Sequence, residues 1–394
     1  TEAAIRLLQA ENVQVVLADR DFNYERQYHR IQNLRVSSVD ITEITQVDAQ
    51  NIINLIPERL KKSSTSVVKF QDDPTILTLL AENMKPVSFN FMEDFYKKDR
   101  DAARVFLMIC YVHACGTPCS FDMIYSFLGD EAYTWEDMYD IVDRAGGLIR
   151  ECSDYFDLFD LMQPLQDYYQ CRSQFFAEKV IQGIPYGNPV FSAMLTDFME
   201  NVPSYKICQY DKFKRSAYDA DFACRAFQDE SEGERFYNRC CERDENEYIY
   251  QQAAIYFSKK HNLKKAFEWI DRARNMTHYN RFSIDSTYAQ LYFDANIETE
   301  AGQARAALEI LGNCCRNDKR RAIHFVAFAS RVKLFCQKYP KEAGETYVSL
   351  ALSCIEEGLS GKGVSFKNKQ QLEQLKRDLE QIRDLEQIRD QEKL

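Results

Sequence analysis

Residues 100–182 constrain this chain more than any other stretch. The segment opens with a helical spacing of Ala102, Val105, Phe106, Ile109 and Val112, and Gly116-Thr-Pro-Cys-Ser then ends the helix. Ser120 is placed to cap a second helix over 121–128, and Thr134 a third over 135–145. Beyond the Gly146-Gly147 turn, 148–150 and 168–172 read as two strands around a long acidic, aromatic loop at 153–167. Three helices followed by a strand pair is the outline of a winged helix. The third helix carries Glu136, Asp137, Asp140 and Asp143 against Arg144 alone. DNA affinity comes chiefly from Lys and Arg neutralising phosphates, so this helix points to protein or nucleotide contacts and away from DNA.

Composition supports a mainly α chain. The 394 residues include 13 Gly and 9 Pro, and helix-forming residues recur throughout, so sandwiches and barrels are disfavoured. Hydrophobic residues at 45% are enough for two to four compact domains. A net charge of −11 argues against general binding to nucleic acid or anionic membranes. No apolar run reaches the roughly 18 residues of a membrane span. The 13 cysteines follow no regular framework and read as thiols of a cytoplasmic protein. Cys110, Cys115 and Cys119 fit no zinc spacing and read as small core residues. The five histidines are scattered, with His113 on the apolar helix as a packing residue. The chain starts at Thr1 in a helical pattern, as expected of a piece of a longer protein.

Upstream, Val13-Gln-Val-Val-Leu-Ala reads as a buried strand ending in Asp19-Arg20-Asp21. A helix with Ala49, Ile52, Ile53 and Ile56 follows, and Asp73-Pro74 opens another with proline in its favoured first turn. Downstream, Tyr250, Ala254, Phe257, Ala266, Ile270 and Ala273 stand at the large and small positions of a tetratricopeptide unit. Looser helix pairs are expected over 287–315 and 321–357. Stacked units of this kind leave a concave face, for which Tyr279, Phe282, Tyr288 and Tyr292 are the candidate partner anchors. At the end, Leu372, Leu375, Leu379 and Ile382 form a stripe that drifts where Asp-Leu-Glu-Gln-Ile-Arg repeats, so a solvated terminal helix is expected.

Three short motifs carry a family resemblance: Val15-Val-Leu-Ala-Asp-Arg20, Asp73-Pro74-Thr-Ile-Leu, and Cys171-Arg172-Ser173-Gln-Phe-Phe-Ala-Glu. With the element order, they resemble the C-terminal two-thirds of a STAND NTPase, the superfamily of NLR immune receptors and bacterial antiphage sensors, over about residues 10–360. The resemblance implies the end of an α/β NTPase core (1–40), a helical lid (41–99), a winged helix (100–182), a helical connector (183–245), tetratricopeptide-like repeats forming an α-solenoid (246–360) and a charged terminal helix (361–394). It also implies Arg20 at the terminal phosphate, Pro74 near the adenine and Arg172 at a phosphate, in the place where bacterial members often carry a His. Cofactors would be ATP or ADP with Mg in the full-length protein. The partners would be a protein trigger on the repeats, phage-encoded in the antiphage members, and further copies of the chain on activation. No Gly-x-x-x-x-Gly-Lys-Ser/Thr loop occurs, and Gly361-Lys362 has the wrong spacing, so this chain alone lacks the phosphate cradle. A non-enzymatic repeat adaptor and, behind it, a winged-helix transcription regulator are the competing readings.

Overall fold

The computed structural model describes residues 46–55 and most of 90–391, with gaps at 130–132, 146–147, 152–165, 172–173, 277–280, 319–321, 341–343 and 361–365. Contacts divide the chain into two units, 1–85 and 86–394. In the first, the described part is helix α1, Gln46–Leu55, with Ile53 buried. The expected strand at 13–18 and the Pro74 helix lie outside the described residues.

The second unit is mainly helical and is built around α3, Arg100–Ala114, which follows α2, Asn90–Lys98. Asp99 caps α3 by accepting the Ala102 N–H at 3.1 Å. Every residue from Val105 to Val112 is buried. A helix covered all round serves as a centre for others. Around it lie α4, Phe121–Leu128, and α5, Trp135–Arg144. Ser120 accepts the Met123 N–H, and Thr134 forms a reciprocal capping box with Asp137, as their sequence positions predict. Asp99 also takes the Arg144 guanidinium at 2.6 Å, which holds the end of α5 against the start of α3.

A small antiparallel sheet completes this region. β1 is Cys119–Ser120, β2 Ile149–Glu151 and β3 Tyr168–Cys171, in the order β1-β3-β2. Cys119 faces Tyr169 and Ile149 faces Cys171. β1 adds a third strand to the expected pair; two residues are too short to leave an alternation in sequence.

Beyond β3 run α6, Gln174–Gln182, α7, Pro189–Asn201, α8, Tyr210–Ala217, α9, Ala220–Ala226, and α10, Glu230–Arg243. Tyr111 of α3 is their anchor. Its ring meets Phe198, Phe213 and Phe222 edge-on at 5.4–5.7 Å, and its hydroxyl donates to the Ala217 carbonyl at 2.7 Å. Arg225 clamps the connector by donating to the Gln182 and Ile184 carbonyls and pairing with Asp221.

Antiparallel helix pairs follow: α11, Glu247–Lys259, with α12, Leu263–Met276; α13, Arg281–Asn296, with α14, Ala301–Asn317; α15, Ala322–Lys338, with α16, Gly344–Ser360. Ala254, Ala266 and Ala273 are fully buried, as are Ala289, Ala304 and Ala307 in the second pair. Small side chains there let the paired backbones approach. This stacking is that of an α-solenoid. One continuous core extends from α3 through the first pair to Ile284 and Leu291, and a second extends from Ala289 onward. α13 therefore belongs to both.

The terminal helix α17, Phe366–Gln391, corrects the expectation of a solvated end. Leu372 and Leu379 are fully buried in the second core, and Leu375 and Ile382 pack beside them. Lys333 of α15 pairs with Asp378 at 2.5 Å, and Lys376 with Glu356 of α16 at 3.0 Å. A stacked repeat leaves its last apolar face open, and this leucine stripe covers it.

Candidate recognition groove on the repeats

The first helix of each pair, α11, α13 and α15, lines a groove of about 970 Å³. Its floor is polar. Gln251 of α11 donates to the Thr287 hydroxyl at 2.7 Å and to the Ser283 carbonyl at 3.1 Å, joining α11 to α13. Gln252 accepts the Ala220 N–H at 3.0 Å and ties the first repeat to the start of α9. Both glutamines are buried. A buried amide with its hydrogen bonds made fixes the register of the elements it joins, because sliding would leave it unsatisfied.

Further along, Arg331 of α15 pairs with Asp294 of α13 at 3.0 Å. Its Nε is buried without a hydrogen-bond partner. At the other end stand Lys214 and Arg215 of α8 and Lys259 of α11. Burial opposes the charge of Lys214, but Asp244 and Asp211, each at 3.0 Å, hold its pKa above the usual lysine value. Arg215 is exposed. The lining thus has four cations, Lys214, Arg215, Lys259 and Arg331, against two carboxylates, Glu247 and Asp294. Ser258, Ser286 and Gln290 add hydroxyl and amide groups. Such a surface offers both donors and acceptors, since amides and hydroxyls do both.

The sequence-derived residues fall elsewhere. Arg20, Pro74, Arg172 and Tyr279 lie outside the described residues. Phe282, Tyr288 and Tyr292 are half-buried, and none is among the groove's lining residues. Tyr288 stacks on Tyr292 at 5.9 Å, meets Phe267 of α12 edge-on at 6.0 Å, and lies under the Arg274 guanidinium at 4.0 Å. The Tyr292 hydroxyl donates to Gln303 of α14 at 2.8 Å. These two tyrosines are thus engaged in packing α13 against α12 and α14, and not exposed as their polar hydroxyls suggest. The groove residues went unrecognised in sequence because Gln251-Gln252 and Ser286-Thr287 look like ordinary solvent-facing positions. Their signal is two adjacent polar pairs on helices whose other faces are apolar.

The cysteine cluster is a core feature. Cys110, Cys115 and Cys119 are buried, and Cys110 meets Cys171 of β3 at 3.4 Å. Burial, then the neighbouring sulfur, pushes the Cys110 thiol up. Among the described residues no group of three or more His, Cys, Asp or Glu side chains is placed to hold a metal ion. Among them, too, no helix is long and apolar enough to cross a membrane. Comparison with family models, with curated proteins and with solved structures returned no match to this chain.

Proposed function

We propose that this chain is the regulatory and sensor part of a STAND-type signal-transducing ATPase acting in antiphage or innate immune defence. A protein trigger docks in the groove of the repeats, and the region around α3 passes that event to a nucleotide-dependent assembly of protomers. One observation carries the reading: a helix–strand–helix–helix–strand–strand region with sheet order β1-β3-β2 is followed, after the connecting helices α6 to α10, by stacked helix pairs with an open groove. That order supports a winged helix joined to tetratricopeptide-like repeats. In this reading ATP or ADP with Mg binds a phosphate loop outside these 394 residues, with Arg20, Pro74 and Arg172 contributing from this chain. The effector also lies outside it.

Such a switch requires differential binding. Moving the protein from 1% to 99% active requires the trigger to favour the active state by about 10⁴-fold. Two hydrogen bonds are suited to that role. Gln252 bonds the first repeat to the connector, and Tyr111 bonds the connector to α3, so strain at the groove has a packed route toward the sheet.

The test is nucleotide binding and mass of the protein encoded in full, by calorimetry and mass photometry. Binding of ADP, and growth in mass when ATP, Mg and a trigger are supplied, is the expected result. Arg20→Ala then loses the mass increase while circular dichroism of the repeats is unchanged. A full-length protein that binds neither nucleotide overturns the ATPase reading and leaves a repeat adaptor.

A further inference from the structure

A second surface, away from the groove residues, lies on α5. Two large aromatic side chains are exposed there, Trp135 at 58% and Tyr139 at 45%. They are held rigidly. The Trp135 indole stacks on Phe121 at 5.1 Å and on Tyr125 at 5.5 Å, with interplanar angles of 7° and 9°. Tyr139 stacks on Phe121 at 4.7 Å, and its hydroxyl donates to Asp167 at 2.7 Å. A rigid aromatic that remains over half exposed has already lost its rotamer freedom, so a partner gains its contact area at little further entropic cost.

The charges beside these rings are of one sign. At about 100° per residue, Asp143, Glu136 and Asp140 form the stripe adjoining Trp135 and Tyr139. The helix carries four carboxylates and one guanidinium, and that guanidinium, Arg144, is engaged by Asp99 and Asp140. Glu136 and Asp143 have no cation partner among the described residues. Aromatic faces attract cations through their quadrupole, and carboxylates attract them through charge.

We infer that this face of α5 is a docking surface for an arginine-rich segment of a partner protein. Arginine fits better than lysine because its flat guanidinium stacks on an indole and still donates hydrogen bonds to a carboxylate in its own plane. The spacing selects an extended segment. Trp135 and Tyr139, four residues apart, lie about 6 Å from each other along the helix. Alternate side chains of an extended strand are separated by about 6.7 Å. An Arg-x-Arg pair therefore places one guanidinium on each ring. This surface does not depend on the groove or on nucleotide.

The test uses the full chain with nona-arginine, nona-lysine and nona-glutamate peptides at moderate salt. Trp135 is a clean reporter, because the other tryptophan, Trp269, is only 4% exposed. Nona-arginine is expected to change the Trp135 emission and to bind about tenfold tighter than nona-lysine of the same charge. Trp135→Ala removes that preference without changing net charge. Trp135→Phe keeps a ring on Phe121, hence the local fold, and weakens the arginine peptide several-fold. Glu136→Gln with Asp143→Asn weakens both cationic peptides. Equal affinity for the arginine and lysine peptides, or unchanged arginine binding in Trp135→Ala, means attraction to a net-negative protein and overturns the proposal. So does Trp135 emission shielded from acrylamide in the unliganded protein.

Discussion

α3 and the repeat pairs are both helical packing, yet they distribute their contacts differently. α3 is buried on every side, and besides its neighbour α2 its partners come from farther along the chain: α5, α6, α7 and the sheet all touch it. In the repeats each helix mainly meets its neighbours in sequence, α11 with α12 and α13 with α14. The first arrangement concentrates long-range contacts on a few large side chains such as Tyr111. The second spreads them over small ones such as Ala266 and Ala304. Damage at α3 should therefore be felt throughout its region, whereas damage in the repeats should stay near its site.

Tyr111→Ala should show the largest effect. It opens a cavity among Phe198, Phe213 and Phe222 and leaves the Ala217 carbonyl without its donor. A loss of about 3–5 kcal/mol is expected from urea unfolding. Hydrogen exchange should speed up in α3 and in α7 to α9 together. Acceleration confined to α3 would end the contrast drawn above.

Gly233→Ala probes the seam between the two regions. A methyl group there would come within 2.2 Å of the Tyr256 ring, and that ring is fully buried. Alanine in an exposed helix stabilises by up to about 1 kcal/mol over glycine. Here overpacking should reverse the sign and destabilise by about 1–3 kcal/mol. A stabilised variant would mean that α10 and α11 yield to each other, which a shared rigid core does not allow.

Acid should act on the seam next. Burial raises the pKa of Asp221, but Arg225 and Tyr186 outweigh it and hold the value below 3.8. A depressed folded pKa contributes stability above the ordinary carboxylate value and loses it as pH falls below 3.8 toward the folded value. Asp221 is about a third exposed, so solvent screening limits the contribution to under about 1 kcal/mol. Asp221→Asn should flatten that part of the stability–pH curve while leaving neutral-pH α12 exchange rates unchanged. An unaltered acid limb would assign acid lability to other carboxylates.

The smallest effect is local to a repeat. His261, between α11 and α12, has φ +63°. His261→Gly relieves that left-handed backbone and should stabilise the first pair by about 0.5 kcal/mol after the entropy cost of glycine. Exchange in α3 should not change.

These contrasts also sort what was legible in the chain. The ends of α4 and α5 could be read from Ser120 and Thr134, because a capping side chain bonds within its own first turn. The first repeat could be read from Ala254, Ala266 and Ala273, because close helix approach restricts residue size at fixed spacing. The groove could not be read. Gln251 and Thr287 are 36 residues apart and become partners only when α11 lies beside α13.

The sequence by itself determined a mainly helical chain, the limits of α3, α4 and α5, and the small-residue contacts within the first repeat. All of these depend on interactions within a turn or between adjacent helices. Tertiary structure decided that β1 joins the sheet, that Tyr288 and Tyr292 pack inward, that α17 covers the last repeat, and that Trp135 stays exposed. A tyrosine or leucine has the same chemistry on either face of a helix, and only the neighbouring helix determines which face is covered.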